Sequence, residues 1–169
     1  MASWSCAVAV GQSFLDLLTV LGRHRVELVV VGATAAVLEG APMTTFDLDI
    51  VFEGSEENRG RLLAALGELD AVYVDPLRRG IRPNPERLAS HRINLFETRA
   101  GRLDVMVEVA PGWGWEELIA RSRQIDVAGM KVRVLVLEAV IESKEALGRE
   151  KDRAALPLLR ETLRLARGR

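Results

Sequence analysis

The chain has 169 residues, of which 49% are hydrophobic and 28% charged, with a formal net charge of −1. This length and balance are typical of one globular domain with its own core, and the near-zero charge excludes a chain-wide attraction to nucleic acid or anionic membranes. One cysteine, Cys6, and two histidines, His24 and His91, exclude a disulfide framework within the chain and a Cys/His zinc site.

The N-terminal segment MASWSCAVAVGQ is mildly apolar but has no Lys or Arg. A secretory signal peptide begins with a basic segment, so we interpret residues 1–12 as a flexible tail. No stretch reaches the roughly 18 apolar residues of a membrane span. Because a single cysteine also suits a reducing compartment, we expect a cytoplasmic protein without a membrane partner.

The first half of the chain alternates between helix and strand patterns. Helical spacing of apolar residues predicts a helix over 13–23, and the apolar run ELVVVG predicts a buried strand over 27–32. Residues 33–40 are good helix formers that end in glycine, and FDLDIVF predicts a strand over 46–52. A serine cap and an acidic first turn begin a helix predicted over 55–69.

The second half is predicted to contain hairpins and then helices. In chain order we expect a strand over 71–75, a proline-rich loop over 76–90, a hairpin of 92–98 and 102–109, a helix over 115–122, a hairpin over 124–135, and helix from 137 onward. Pro157 is expected in the first turn of the last helical run or at a kink in it.

This order of elements predicts the fold class α/β (α+β), with a mixed β-sheet flanked by helices. The core is expected over residues 13–136, with a C-terminal helical segment over 137–169 packed on it.

Two aspartates lie one residue apart in the apolar stretch TTFDLDIV, residues 44–51. Because side chains at i and i+2 of a strand point to the same face, Asp47 and Asp49 are expected together, with Phe46 and its apolar neighbours on the other face. Two bare carboxylates this close repel each other, and one takes up a proton. A divalent cation such as Mg²⁺ removes that conflict and leaves coordination positions for phosphate oxygens.

A third acid, Asp104 in RLDVMVEV, has the same apolar surroundings. If its strand lies beside 46–52, the separation of about 4.7–4.9 Å between neighbouring strands lets Asp104 complete a site of three carboxylates. Asp47, Asp49 and Asp104 are therefore candidate catalytic residues and ligands of Mg²⁺ or Mn²⁺. The alternative is that Asp-x-Asp is only a turn residue followed by a surface residue.

The glycine of VVVGATAAV, Gly32, lies between a predicted strand and a predicted helix. Backbone N–H groups at the start of a helix attract phosphate, and Thr34 could add a hydroxyl. Neither a P-loop nor a dinucleotide-binding fingerprint is present in the sequence. A tight turn without a ligand is the alternative.

The order of these features resembles the nucleotidyltransferase superfamily with the DNA polymerase β-like fold, and within it the bacterial minimal nucleotidyltransferases and abortive-infection toxins. The resemblance covers roughly residues 25–165. The matching residues are Gly32, Ala33, Thr34, Ala35, Gly40, Thr45, Asp47, Asp49 and Asp104, followed in IESKEALGREKD by Lys144, Arg149, Lys151 and Asp152.

The resemblance implies that Mg²⁺, held by the aspartates, binds the phosphates of a nucleoside triphosphate. It also implies that an acceptor hydroxyl attacks the α-phosphate and that pyrophosphate leaves. Asp104 would activate the hydroxyl as metal ligand or base. The implied nucleotide-binding residues are Gly32, Ala33, Thr34, Lys144, Arg149, Lys151 and Asp152. The alternative for the last four is a solvated helix face with an ion pair between Glu145 and Arg149.

The sequence departs from the family pattern at two positions. Ala33 replaces a glycine or serine, and Met43 replaces an arginine that often precedes the threonine. These departures motivate a second hypothesis, a non-catalytic nucleotide-binding or partner-regulating module. A third hypothesis is a phosphohydrolase that uses the same acids.

The acceptor is predicted from local charge. Residues 78–92 contain five arginines against one acid, and the segment from Lys144 to Arg169 contains eight basic residues against four acids. Either segment could form a nucleic-acid surface or could simply be solvated. The resemblance implies a tRNA end or a protein hydroxyl as acceptor, and an antitoxin as partner if the chain is a toxin.

Overall fold

The structure is a computed structural model that describes residues 11–168. Most of the predicted tail, including Cys6, lies outside the described residues. The elements are α1 (Gln12–Arg23), β1 (Leu28–Val30), α2 (Gly32–Leu38), β2 (Asp47–Phe52), α3 (Glu56–Glu68), β3 (Val72–Tyr73), α4 (Pro85–Ser90), β4 (Ile93–Thr98), β5 (Gly101–Met106), α5 (Trp115–Ala120), β6 (Ser122–Val127), β7 (Met130–Leu135), α6 (Leu137–Leu147) and α7 (Glu150–Arg167).

The strands form one mixed sheet in the order β3-β4-β5-β2-β1-β7-β6. The pairs β2–β5 and β1–β7 are parallel, and the other neighbours are antiparallel. The predicted mixed sheet flanked by helices is therefore confirmed. None of the helices in residues 11–168 combines the length and apolar character that crossing a membrane requires.

One face of the sheet packs against α1, which also contacts α3, because alternate residues of its strands are apolar. Leu48, Leu103 and Phe96 are fully or almost fully buried there, and α1 contacts both β2 and β5. Burying a side chain of this size stabilises the fold by about 1.5–3 kcal/mol, so this layer anchors the central strands. On the other face, α2 contacts β2, β7 and α6, which covers the sheet only over its β1–β7 side.

The helix α3 begins where the sequence predicts. The Ser55 hydroxyl accepts a hydrogen bond from the Asn58 N–H at 3.2 Å, and Glu56 and Glu57 occupy the first turn. The buried Asn58 amide also donates to the carbonyls of Glu27 and Glu53 and accepts from the Glu27 N–H. All of its polar groups thereby find partners, so a buried amide holds α3 against the ends of β1 and β2.

Two local predictions are wrong, and one of the two placements expected for Pro157 is excluded. The predicted loop over 76–90 contains α4, because the Asn84 side chain accepts from the Arg87 N–H and Pro85 occupies the first helical position. Phe46 lies before β2 and is 87% exposed, so it does not join the buried apolar face. Pro157 lies in the interior of α7, which begins at Glu150, so the first-turn placement fails.

Candidate active site

Three carboxylates meet on the open face of the sheet. In the parallel pairing of β2 with β5, Asp49 lies directly opposite Asp104, and Asp47 lies opposite Arg102. Asp47 and Asp49 share a face because they are two residues apart in a strand. The prediction that the strand of Asp104 lies beside the strand of the other two acids is confirmed.

The electrostatics show that this cluster carries more negative charge than its surroundings neutralise. Burial raises the pKa of Asp49 to about 7, with further increases from the charges of Asp104 and Asp47 and decreases from Lys144 and Lys151. Burial also raises the pKa of Asp104, and the Asp47 charge adds to that effect. Without a cation, the cluster therefore retains a proton near neutral pH.

Gly32 makes room for the Asp49 carboxylate. It has φ +63, and a Cβ at this position would lie 2.5 Å from Asp49 Oδ2 and 3.1 Å from its Cγ. The N–H of the preceding residue, Val31, donates to the Asp49 carbonyl at 2.9 Å. The end of β1 and the start of α2 are thus pressed against β2 at the acid, and only glycine allows both the contact and the left-handed backbone.

Asp104 has an unused acceptor atom. Within the described residues, its Oδ1 is buried and has no hydrogen-bond partner. A buried carboxylate oxygen without a donor is costly, and such an atom needs a physical explanation. The neighbouring Asp47 has a partial neutralising partner, since Arg102 Nε lies 3.6 Å from its Oδ1. Arg102 belongs to none of the sequence motifs, although its position two residues before Asp104 places both side chains on one face.

The predicted cations lie on the last two helices. Lys144 is in α6, and Lys151 is in the first turn of α7. Both ammonium groups are close enough to lower the pKa of Asp49. About a hundred residues separate these lysines from Asp49 in the sequence. The fold therefore places them beside the carboxylates.

Asp152 has a different place from the one predicted. It is fully buried, and it accepts from Lys144 Nζ at 3.1 Å and from Arg149 Nε at 2.5 Å. Burial acts to raise the pKa of Asp152, but the hydrogen bonds from Arg149 and Lys144 outweigh burial and lower it. Both of its oxygens are engaged, so Asp152 positions two cations, and its predicted part in nucleotide binding stays a prediction.

The alternative ion pair between Glu145 and Arg149 is absent from the described residues. Glu145 pairs with Arg160 at 2.5 Å, while Arg149 pairs with Asp152. The reason is the left-handed Gly148, which ends α6 and turns Arg149 into the cap of α7, so the two residues no longer share one helix.

The hydroxyl predicted for phosphate is also used elsewhere. Thr34 is fully buried, and its Oγ1 donates to the Asp47 carbonyl at 2.8 Å. Thr45 donates to the same carbonyl at 3.2 Å. The Thr34 hydroxyl therefore holds α2 onto β2, and the role of Thr34 as a nucleotide ligand stays a prediction. Ala33, in contrast, is only half-buried in the first turn of α2.

The residues present fit a divalent cation. No three His, Cys, Asp or Glu side chains in residues 11–168 already stand in a metal-binding arrangement. The cluster nevertheless supplies hard oxygen donors, an unpartnered buried oxygen on Asp104 and a glycine cradle under Asp49. Like charges within the cluster contribute to the raised pKa values of Asp49 and Asp104, and a cation removes that repulsion.

The fold is shared with solved nucleotidyltransferases. The lincosamide adenylyltransferase LnuA, bound to lincomycin, matches with a TM-score of 0.62 at 10% identity, over 91% of this chain and 98% of that chain. ANT(2'')-Ia in complex with adenylyl-2''-tobramycin matches with a TM-score of 0.55 at 21% identity, over 90% of this chain and 89% of that chain. A nucleotidyltransferase-like protein from Paracoccidioides brasiliensis matches with a TM-score of 0.53 at 16% identity, over 98% and 78% of the two chains.

Sequence comparison adds nothing to this result, since no protein-family profile and no curated protein matches the chain. The structural matches confirm the nucleotidyltransferase fold that the sequence resemblance implies.

Proposed function

We propose that the chain is a Mg²⁺-dependent nucleotidyltransferase that moves a nucleoside monophosphate from a nucleoside triphosphate to an acceptor hydroxyl. The observation that carries this proposal is the register of Asp49 with Asp104, beside a glycine that leaves room for the Asp49 carboxylate. The shared fold supports the reaction class, because the neighbours include a lincosamide antibiotic adenylyltransferase, a complex with adenylyl-2''-tobramycin and a nucleotidyltransferase-like protein.

Asp47, Asp49 and Asp104 would hold the cation. When bound, Mg²⁺ would neutralise phosphate charge and polarise the reacting oxygens. Lys144 and Lys151 add positive charge on the helix side of the same carboxylates, where a triphosphate tail would lie. Asp152 fixes the position of Lys144, whose side chain is only 13% exposed.

The chemical step needs one proton acceptor and one leaving group. The proton of the acceptor hydroxyl passes to Asp104, whose Oδ1 has no competing donor in the described part of the chain. A bond forms between the acceptor oxygen and the α-phosphorus. The bond from that phosphorus to the bridging oxygen breaks, and its electron pair leaves on pyrophosphate, next to the two lysines. Positioning and charge neutralisation dominate such transfers.

The two departures from the family pattern have structural explanations. Met43 is partly buried and packs against the hydrophobic core, so this position offers packing and no cation. Ala33 leaves the turn without a second side-chain donor, since the Thr34 hydroxyl is also used. We infer that the backbone at this turn and the lysines of α6 and α7 hold the triphosphate.

The acceptor and biological role remain proposals. A tRNA end or a protein hydroxyl is the acceptor implied by the sequence resemblance, and the two antibiotic-bound neighbours introduce small molecules as a further class. A toxin role with a cognate antitoxin predicts that expression slows growth and that Asp49→Asn abolishes the effect. Unimpaired growth on expression of the wild type would contradict it.

The test uses the four nucleoside triphosphates, labelled either at the α- or the γ-phosphate, with Mg²⁺ and pools of tRNA, protein and hydroxylated small molecules. We expect the α label to become covalently attached to one acceptor class while the γ label leaves as pyrophosphate, and we expect a chelator to stop both. Free γ-phosphate without transfer would identify a phosphohydrolase. Tight nucleotide binding in calorimetry without pyrophosphate release would identify a non-catalytic module.

A further inference from the structure

The open face of the sheet continues past the carboxylates onto an exposed apolar surface. In the antiparallel pairing of β5 with β4, Leu95 lies opposite Asp104, and Ile93 lies opposite Met106. Ile93 is 57% exposed and Leu95 is 37% exposed, while the alternating residues Asn94 and Phe96 are buried. We name Ile93, Leu95 and Met106 the apolar shelf.

We infer that the apolar shelf is the binding surface for the acceptor, and that it selects a small hydroxylated molecule with an uncharged apolar or aromatic face. This inference rests on the nucleotidyltransferase function proposed above. Neighbouring strands lie about 4.7–4.9 Å apart, so a molecule resting on Leu95 has its hydroxyl within reach of Asp104 one strand away.

The two sides of the carboxylates differ in chemistry, which separates donor from acceptor. Lys144 and Lys151, on α6 and α7, both act on Asp49, and Lys151 also acts on Asp104, so the polyanionic nucleotide belongs on the side of these helices. The β4 side of Asp104 carries the shelf, whose three side chains are uncharged. An in-line displacement requires the attacking and leaving oxygens on opposite sides of the phosphorus, so the acceptor approaches from the shelf.

The charges around the shelf do not favour RNA as the acceptor. Arg92, next to Ile93, pairs with Glu108, and Arg102 faces Asp47. In the arginine-rich segment, Arg79 pairs with Asp75 at 2.8 Å, and Arg87 lies over the Tyr73 ring at 5.7 Å. Acids or an aromatic ring already occupy these cations, so the segment offers less free positive charge to a phosphate backbone than its sequence predicts.

A second copy of the chain is a poor occupant for the shelf. Stable interfaces commonly use about 20–30 residues from each partner, whereas the shelf consists of three. Apolar contact beside a few placed polar groups is instead the usual composition of a small-molecule site.

Methyl NMR on the full chain, labelled at Ile, Leu and Met, tests this inference. The protein is first given Mg²⁺ and a non-hydrolysable triphosphate, and then phenyl β-D-glucoside or glucose, a pair that differs by the apolar ring. We expect phenyl β-D-glucoside to shift the signals of Ile93, Leu95 and Met106 and to leave Leu165, which is 51% exposed on α7, unchanged. Glucose and bulk tRNA should not shift the shelf signals.

Two glutamate variants provide the matched comparison. Leu95→Glu should weaken phenyl β-D-glucoside binding at least tenfold, whereas Leu165→Glu should leave binding within twofold of wild type. Ile93→Ser, at a more exposed position, gives a second measurement if Leu95→Glu does not fold, and it should weaken binding at least threefold.

The inference is overturned if phenyl β-D-glucoside does not shift the shelf signals, or if tRNA does shift them. It is also overturned if the shelf signals change on dilution, because that change would show that a second copy of the chain covers the shelf. The nucleotide step reports the proposed function separately. If the triphosphate shifts signals near Asp49 but phenyl β-D-glucoside does not shift the shelf signals, only the acceptor inference fails. If the triphosphate has no effect, the proposed function fails, and the acceptor inference fails with it.

Discussion

The molecule contains two charged clusters of opposite construction. On the sheet, Asp47, Asp49 and Asp104 bring three carboxyl groups together, and the pKa of Asp49 rises to about 7 through burial and its acidic neighbours. Between α6 and α7, the buried Asp152 is matched by two cations, and its pKa falls despite burial. The cations near the first cluster leave the pKa of Asp49 raised, whereas the cations of the second cluster outweigh burial and lower the pKa of Asp152. We propose that the first cluster binds a ligand and that the second stabilises the fold.

The largest expected effect comes from removing a charge in the unmatched cluster. Asp49→Asn should lower the rate of nucleotidyl transfer about 10³-fold, because a cation ligand is lost where transition-state charge develops. The same change should not lower the free energy of unfolding at pH 8, because it removes uncompensated negative charge. Initial-rate kinetics and urea unfolding on one preparation measure both effects. A large loss of stability would show that Asp49 is structural.

The contact between Gly32 and the Asp49 carboxylate provides the next test. Gly32→Ala should reduce transfer about 100-fold and destabilise the fold by about 2 kcal/mol, because its Cβ would lie 2.5 Å from Asp49 Oδ2 and its φ is +63. Gly60→Ala in α3, where a Cβ meets nothing within 4 Å, is the control. It should stabilise the fold by about 0.5–1 kcal/mol. Equal effects of the two changes would contradict the proposed cradle.

Breaking the matched cluster should affect stability first. Asp152→Asn should lower the free energy of unfolding by about 2 kcal/mol, because Lys144 is left nearly buried without its anion. Chemical denaturation measures this loss. Glu161→Gln, which breaks the exposed pair with Arg164, should change stability by less than about 0.5 kcal/mol. If Asp152→Asn behaves like this control, the cluster does not stabilise the fold.

The pH dependence of the chelator-treated protein distinguishes the clusters in another way. Below about pH 4, Asp49 is protonated in both folded and unfolded chains. As pH rises to about 7, the unfolded chain ionises freely while the folded carboxyl holds its proton, so stability falls. Above about pH 7 the loss of folding stability is complete. It amounts to about 2 kcal/mol once partial solvent screening is allowed for.

Thermal unfolding from pH 4 to 8 measures this dependence, and Asp49→Asn is its control. The wild type should lose stability relative to Asp49→Asn over this window, and Mg²⁺ should restore the wild type at pH 8 but not at pH 4. Parallel curves for the two proteins would show that the burial of Asp49 carries no penalty.

The smallest expected effect concerns Thr34. Thr34→Val should destabilise the fold by about 1 kcal/mol, because the hydroxyl that bonds the Asp47 carbonyl is lost. The KM for the triphosphate should stay within about twofold of wild type, since that hydroxyl faces the strand. Steady-state kinetics alongside urea unfolding would show both. A KM raised tenfold at unchanged stability would show that the Thr34 hydroxyl contacts the nucleotide.

Local chemistry was sufficient to predict much of the architecture. The serine cap of α3, the hairpin of β4 and β5, and the alternation around Asp104 are all visible in residues a few positions apart. The missed helix α4 also had a local signal, Asn84 followed by Pro85, but the surrounding prolines favoured a loop. Phe46 shows the limit of alternation, because the strand begins one residue later than the apolar pattern predicts.

The sequence by itself determined which acidic side chains could lie together, because residues two apart in a strand share a face whatever surrounds them. Tertiary structure alone decided which charges meet there and which are already matched. The pairing of β2 with β5 placed Asp104 beside Asp49, and the turn at Gly148 gave Asp152 its two cations. These contacts join residues far apart in the chain, and the strength of a charge interaction depends on distance and burial, which only the packed fold defines.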